Sequence, residues 1–172
     1  MKTKEIDYFT FEELDEVIQQ KVLDTYSYIN VDGFDWWKFC YEDAANVGIK
    51  ITSFDIDLAS YCTFDKNYDI EDIAENIIAG HGKQCETYKH SIDFLKNYDR
   101  INKEIDTCYE NDLDDDNLND ELGCLIETFE MSLSGLYLEL LKREYHYLIS
   151  DEAIKETIIL NEYYFTSDGE IE

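Results

Sequence analysis

Between Leu118 and Ile149 apolar residues recur at three- and four-residue steps: Leu122, Leu125, Ile126, Phe129, Leu133, Leu136, Tyr137, Leu140, Leu141, Tyr145 and Leu148. That spacing lays a stripe along one side of a helix and predicts the longest element of the chain. Earlier, Leu14, Val17, Ile18, Val22 and Tyr26 keep helical spacing behind Thr10-Phe11-Glu12-Glu13. This tetrapeptide has the form of a capping box, so a first helix is expected from about 11 to 28. After the turn Asn30-Val31-Asp32-Gly33, Asp35 caps a second helix whose apolar face is Trp36, Trp37, Phe39, Cys40 and Ala44, closed by Gly48. The pattern then changes from period 3.6 to period 2. Residues 49–58 alternate in parity, Ala59-Ser60 turns, and Tyr61-Cys62-Thr63-Phe64 returns, which predicts an antiparallel pair. A third helix is expected over Asp69–Ala79, stopped by Gly80-His81-Gly82, and a fourth over 86–109 on Tyr88, Ile92, Leu95, Tyr98 and Ile105. Ser150-Asp151-Glu152 caps a short last helix to about Asn161, and Tyr163-Tyr164-Phe165 adds a strand before the Asp168-Gly169 turn.

The sum is an α+β protein, mostly helical, with five to six helices and a small antiparallel sheet. A chain of 172 residues has room for one domain with a real core, and neither an internal repeat nor a flexible linker divides it, so 1–172 reads as a single acidic domain. Proline is absent, so the long helices meet few breakers.

Charge changes this picture. Fourteen lysines and arginines stand against 41 acids, a net charge of −27, while 44% hydrophobic content is far too much for a disordered acidic tail. A folded domain that carries so much like charge opposes its own compaction, and solubility alone asks for a magnitude of only about 2–8. Residues 111–130 hold eight carboxylates and no lysine or arginine, whereas 131–150 hold two of each sign and read as the buried centre of the long helix. A compact chain of this length is roughly 40 Å across, and duplex DNA presents roughly 24 phosphates over that distance, the same order as the protein's charge. The alternative reading is an evenly solvated acidic surface. Direct binding of nucleic acid or of an anionic membrane is excluded by sign, which leaves basic proteins as partners. Residues 1–7 lack the apolar stretch of a signal peptide and no apolar run is long enough to span a bilayer, so a cytoplasmic location is expected.

Candidate chemistry is sparse. Asp112, Asp114 and Asp116, followed by Asn117, resemble the start of a calcium loop, but position twelve is Gly123 where a bidentate acid is required, so a flexible acidic loop is expected. His81, Cys85 and His90 offer three zinc-ligand types with no fourth. Five cysteines, an odd number never spaced as C-x-x-C, read as reduced and mostly buried thiols. No nucleotide-binding glycine loop, nucleophile elbow or zinc-protease motif occurs, so no catalytic residue, metal or cofactor is expected. Trp36-Trp37, set between acids, is either core or an exposed binding anchor.

Phe9-Thr10-Phe11-Glu12-Glu13-Leu14, Asp35-Trp36-Trp37-Lys38-Phe39, Gly48-Ile49-Lys50-Ile51-Thr52-Ser53-Phe54-Asp55 and the ending from Tyr147 to Ala153-Ile154 with Asn161–Thr166 resemble small acidic proteins of phages and mobile elements. Those relatives lend no catalytic residues. They imply a context in which acidic proteins of anti-CRISPR and antirestriction type occupy nucleic-acid sites of bacterial defence complexes in the host cytoplasm. The expected function is therefore a non-enzymatic, phage-encoded inhibitor that binds a basic nucleic-acid-binding surface of a host effector complex. Its alternative is an accessory protein docking through an apolar patch. The acids expected at the interface are Asp112, Asp114, Asp115, Asp116, Asp120 and Glu121, then Asp55, Asp57, Asp65, Asp69, Glu71 and Asp72.

Overall fold

A computed structural model describes residues 7–111 and 113–172, so Asp112 and the first six residues read for a signal sequence lie outside the described residues. Among the described residues, which are 61% helical, there are six α-helices and two small two-stranded antiparallel sheets. The fold is α+β and mostly helical. The chain divides into two compact units, one formed by 1–37 with 143–172 and the other by 38–142.

The first unit joins both ends of the sequence. Strand β1 (Phe9–Thr10) pairs antiparallel with β4 (Tyr164–Phe165). A single 3-10 turn follows over Phe11–Glu13, its start fixed by the Glu13 carboxylate, which accepts from the Thr10 N–H at 2.8 Å and the Thr10 hydroxyl at 3.0 Å. The backbone N–H of Thr10 is also the main reason that the Glu13 carboxyl sits below its ordinary pKa. The expected helix over 11–28 is in fact broken. Leu14 and Asp15 are extended, and the Asp15 carboxylate accepts from Val17 and Ile18 N–H, opening helix α1 over Glu16–Thr25. Two competing N-caps within five residues thus divide what the apolar spacing joins. Helix α6 (Asp151–Leu160), capped by Ser150 as expected, packs with α1. Phe11, Leu14, Val22, Leu23, Ile154, Ile158 and Phe165 form this unit's core. Gly169, at φ 83°, brings the chain so close to α1 that a Cβ there would lie 2.9 Å from Val22 Cγ2.

The second unit holds α2 (Lys38–Asn46), β2 (Ile49–Asp55), β3 (Tyr61–Lys66), α3 (Ile70–Gly80), α4 (Glu86–Glu110) and most of α5 (Asp116–Leu148). Helix α2 starts later than expected. Trp36 and Trp37 lie in the preceding turn and are half-buried, and Phe39 is 78% exposed, so the buried face is Cys40 and Ala44 alone. Gly48 (φ 94°) ends it, with Tyr68 covering the space a side chain would need. The β2–β3 hairpin has the expected sense, with Ile51 opposite Phe64 and a bulge before Ser53. On α4 the stripe turned inward is Thr87, Ser91, Phe94 and Ile101, while Ile92 of the expected stripe is 42% exposed. Phe94 stacks on Phe129 of α5 at 4.2 Å and Arg100 reaches Glu121, so the two helices run antiparallel. Of the five cysteines only Cys40 and Cys62 are buried; Cys85 and Cys124 are exposed, which corrects the expectation of mostly buried thiols.

Candidate acidic interface

The α4–α5 connection forms because two aspartates organise backbone amides. Asp114 Oδ1 accepts from Asp116 N–H at 3.0 Å, and the Asp115 carbonyl accepts from Leu118 and Asn119 N–H, which starts α5. Carboxylates at a helix N-terminus meet unpaired N–H groups and the positive end of the helix dipole, so part of their presence here is structural. Their crowding exceeds that need. Asp114, Asp115 and Asp116 each bring a carboxylate oxygen within 4.8 Å of the others'. Asp114, Asp116, Asp120 and Glu121 are exposed. Glu121 is not a free charge, since Arg100 bridges it at 2.5 Å and Glu104 at 2.9 Å, and these two acids hold the guanidinium above its ordinary pKa.

These acids crown an arm with little core. Between Asn102 and Thr128 no described residue is fully buried, and the apolar seam of Ile105, Leu118, Leu122, Leu125 and Ile126 is half-buried. Ten carboxylates and one lysine fall within 102–127. At 1.5 Å per residue α4 contributes roughly 14 Å and α5 roughly 20 Å to the arm, and two packed helices measure about 20 Å across, near the width of a nucleic-acid duplex.

The second acidic set does not gather at one place. Asp55 is spent on the hairpin turn, where its carboxylate accepts from Asp57 N–H at 2.7 Å and Ala59 N–H at 3.3 Å. Asp57 is exposed beside it, at the closed end. Asp65 lies at the open end opposite Lys50, roughly 17 Å away along the strand. Asp69 occupies the N-cap position of α3 without a side-chain capping hydrogen bond, and Glu71 and Asp72 occupy its first turn, so this trio too sits at a positive helix end. All the described candidate acids belong to the second unit.

Two metal-like spacings, for which no metal was expected, take other conformations. Residues 116–123, the second half of the calcium-loop spacing, are helical and cannot wrap an ion as that loop does. His81 points away from zinc chemistry: its Nδ1 lies 2.7 Å from the Thr87 hydroxyl and its Nε2 3.5 Å from Asp43 Oδ1. Asp43 in turn accepts from the Tyr137 hydroxyl at 3.1 Å. Sequence reading missed this chain of polar groups, and no spacing links residues 43, 81, 87 and 137. Hydroxyl, imidazole and carboxylate follow one another as in a nucleophilic triad. Thr87, however, is 5% exposed, which leaves its oxygen out of reach of a substrate, and what the chain does is tie α2, α3, α4 and α5 together.

No family model matches this chain, and no curated protein and no solved structure is significantly similar to it. Among the described residues no helix is long and apolar enough to cross a membrane.

Proposed function

We propose that this chain is a non-enzymatic inhibitor whose acidic arm, the turn end of α4 and α5, enters a cationic nucleic-acid groove of a bacterial defence complex, of the anti-CRISPR or antirestriction type. The observation that carries this reading is the crowding of Asp114, Asp115 and Asp116 at the tip of a two-helix arm of duplex-like width. Like charges held within 4.8 Å repel, and a basic surface relieves that repulsion as it binds. Over a length of 15 Å a duplex presents about 9 phosphates; Arg100 pairs with Glu104 and Glu121 of the ten carboxylates of 102–127, and the eight that remain are of the same order. The partner is thus a protein surface rich in arginine and lysine, and the association is fast and weakened by salt.

The test is a pull-down from bacterial lysate at low and high salt, followed by competition with duplex DNA for the captured complex. Replacing Asp114, Asp115, Asp116 and Asp120 with asparagine is expected to weaken binding at least tenfold and to flatten its salt dependence. Unchanged affinity would remove the arm from the interface. The second reading, docking through an apolar patch, is favoured by Leu58, 99% exposed at the hairpin tip, and by exposed Phe39. Salt-independent capture lost on Leu58→Ser would select it.

A further inference from the structure

Residues 26–37 of the first unit contain no lysine or arginine and place Tyr28, Phe34, Trp36 and Trp37 among Asp32 and Asp35. Successive turns order this segment: the Tyr28 carbonyl accepts from Val31 N–H at 3.0 Å and Asp32 N–H at 2.9 Å. Asn30 bolts it down, donating to the Leu148 carbonyl at 2.9 Å and accepting from the Thr157 hydroxyl at 2.6 Å. The rings therefore stand on a fixed base.

Trp36 meets Trp37 edge-on at 5.7 Å and Tyr145 at 5.3 Å, yet both indoles stay half-exposed, and Phe34 and Tyr28 are 63% and 52% exposed. Asp32 and Asp35 are exposed beside them in the chain. Open ring surface forgoes the free energy of burial, and the paired indoles, with exposed Phe34 and Tyr28 near them in the chain, offer an interaction site. Its chemistry selects the ligand. Indole faces attract cations, and a planar guanidinium both stacks on a ring and donates paired hydrogen bonds to a carboxylate's two oxygens, whereas an ammonium is compact and more strongly hydrated.

We propose that segment 26–37 is an anchor for arginine side chains of the partner protein. The inference rests on the reading that the partner is basic, and it deepens that reading by naming the residue type recognised. The anchor lies in the first unit and the acidic arm in the second, so the two are separable by mutation.

Trp36 and Trp37 are the chain's two tryptophans, so its indole emission reports this segment alone. Titrating the full chain with nona-arginine and nona-lysine peptides, with fluorescence and calorimetry in parallel, tests the proposal. Nona-arginine is expected to shift the emission and to bind at least fivefold more tightly than nona-lysine. Asp32→Asn with Asp35→Asn, which keeps every ring, is expected to weaken nona-arginine at least threefold and leave nona-lysine nearly unchanged. The asparagine variant of Asp114, Asp115, Asp116 and Asp120 is expected to keep the emission shift. Equal affinities with unchanged emission would overturn the anchor while leaving the arm standing. An emission shift that survives while the arm's variant captures its cellular partner normally would overturn the arm and keep the anchor.

Discussion

At the scale of single residues, burial and hydrogen bonding give sharp expectations. Cys62 is 3% exposed, and burial pushes its thiol up to about 11. Its folded value is raised above the unfolded one, so the stabilisation is complete below about pH 8.5 and is lost as pH climbs through 11. Alkaline unfolding followed by circular dichroism should show a loss on the order of 2 kcal/mol across that window, flattened in Cys62→Ala. Alkylation at pH 8 with mass-spectrometric mapping should label Cys85 and Cys124 first and Cys62 only on unfolding. Tyr137, fully buried and pushed upward by its burial, donates to Asp43, so Tyr137→Phe is expected to cost about 1 kcal/mol in denaturant unfolding. Of the caps read from the sequence, Ser150 stands where α6 begins and accepts from Ala153 N–H, whereas Asp35 lies three residues before α2. The His81–Asp43 contact was not legible, because it depends on where three separate helices meet.

At the scale of elements, periodicity located α3, α4, α5 and α6 within two residues at each end, because each presents a long apolar stripe between polar signals. It failed where two local signals compete. Asp15 restarts the first helix, and Trp36 and Trp37 belong to a turn although their spacing suits a helix. On α4, half the turned-in stripe is Thr87 and Ser91, small polar residues that an apolar pattern cannot flag. The arm poses a further expectation. With no fully buried described residue between Asn102 and Thr128, its amides should exchange with deuterium faster than those around Leu133, Tyr137 and Leu141, which are fully buried on the same helix. Equal protection along α5 would mean that the seam is tighter than its exposure implies.

At the scale of the whole molecule, net charge dominates. Among the described residues the ion pairs are few against 41 acids, so most carboxylates repel one another through solvent. Raising salt from 10 mM to 300 mM shortens the screening length from about 30 Å to below 8 Å, and thermal melts should shift upward by several degrees. The acidic excess and its peak at 111–130 were legible from composition, while the separation of Asp55 from Asp65 was not, because strand register decides it. The pairing of Phe9 with Phe165 has a consequence for synthesis. A ribosome releases residues 38–142 as one uninterrupted stretch, free to collapse early, whereas the first unit stays an open question for the chain until its last strand emerges. Chains halted before Phe165 are thus expected to leave Phe11 and Val22 without their cover and to draw on chaperones until translation is complete.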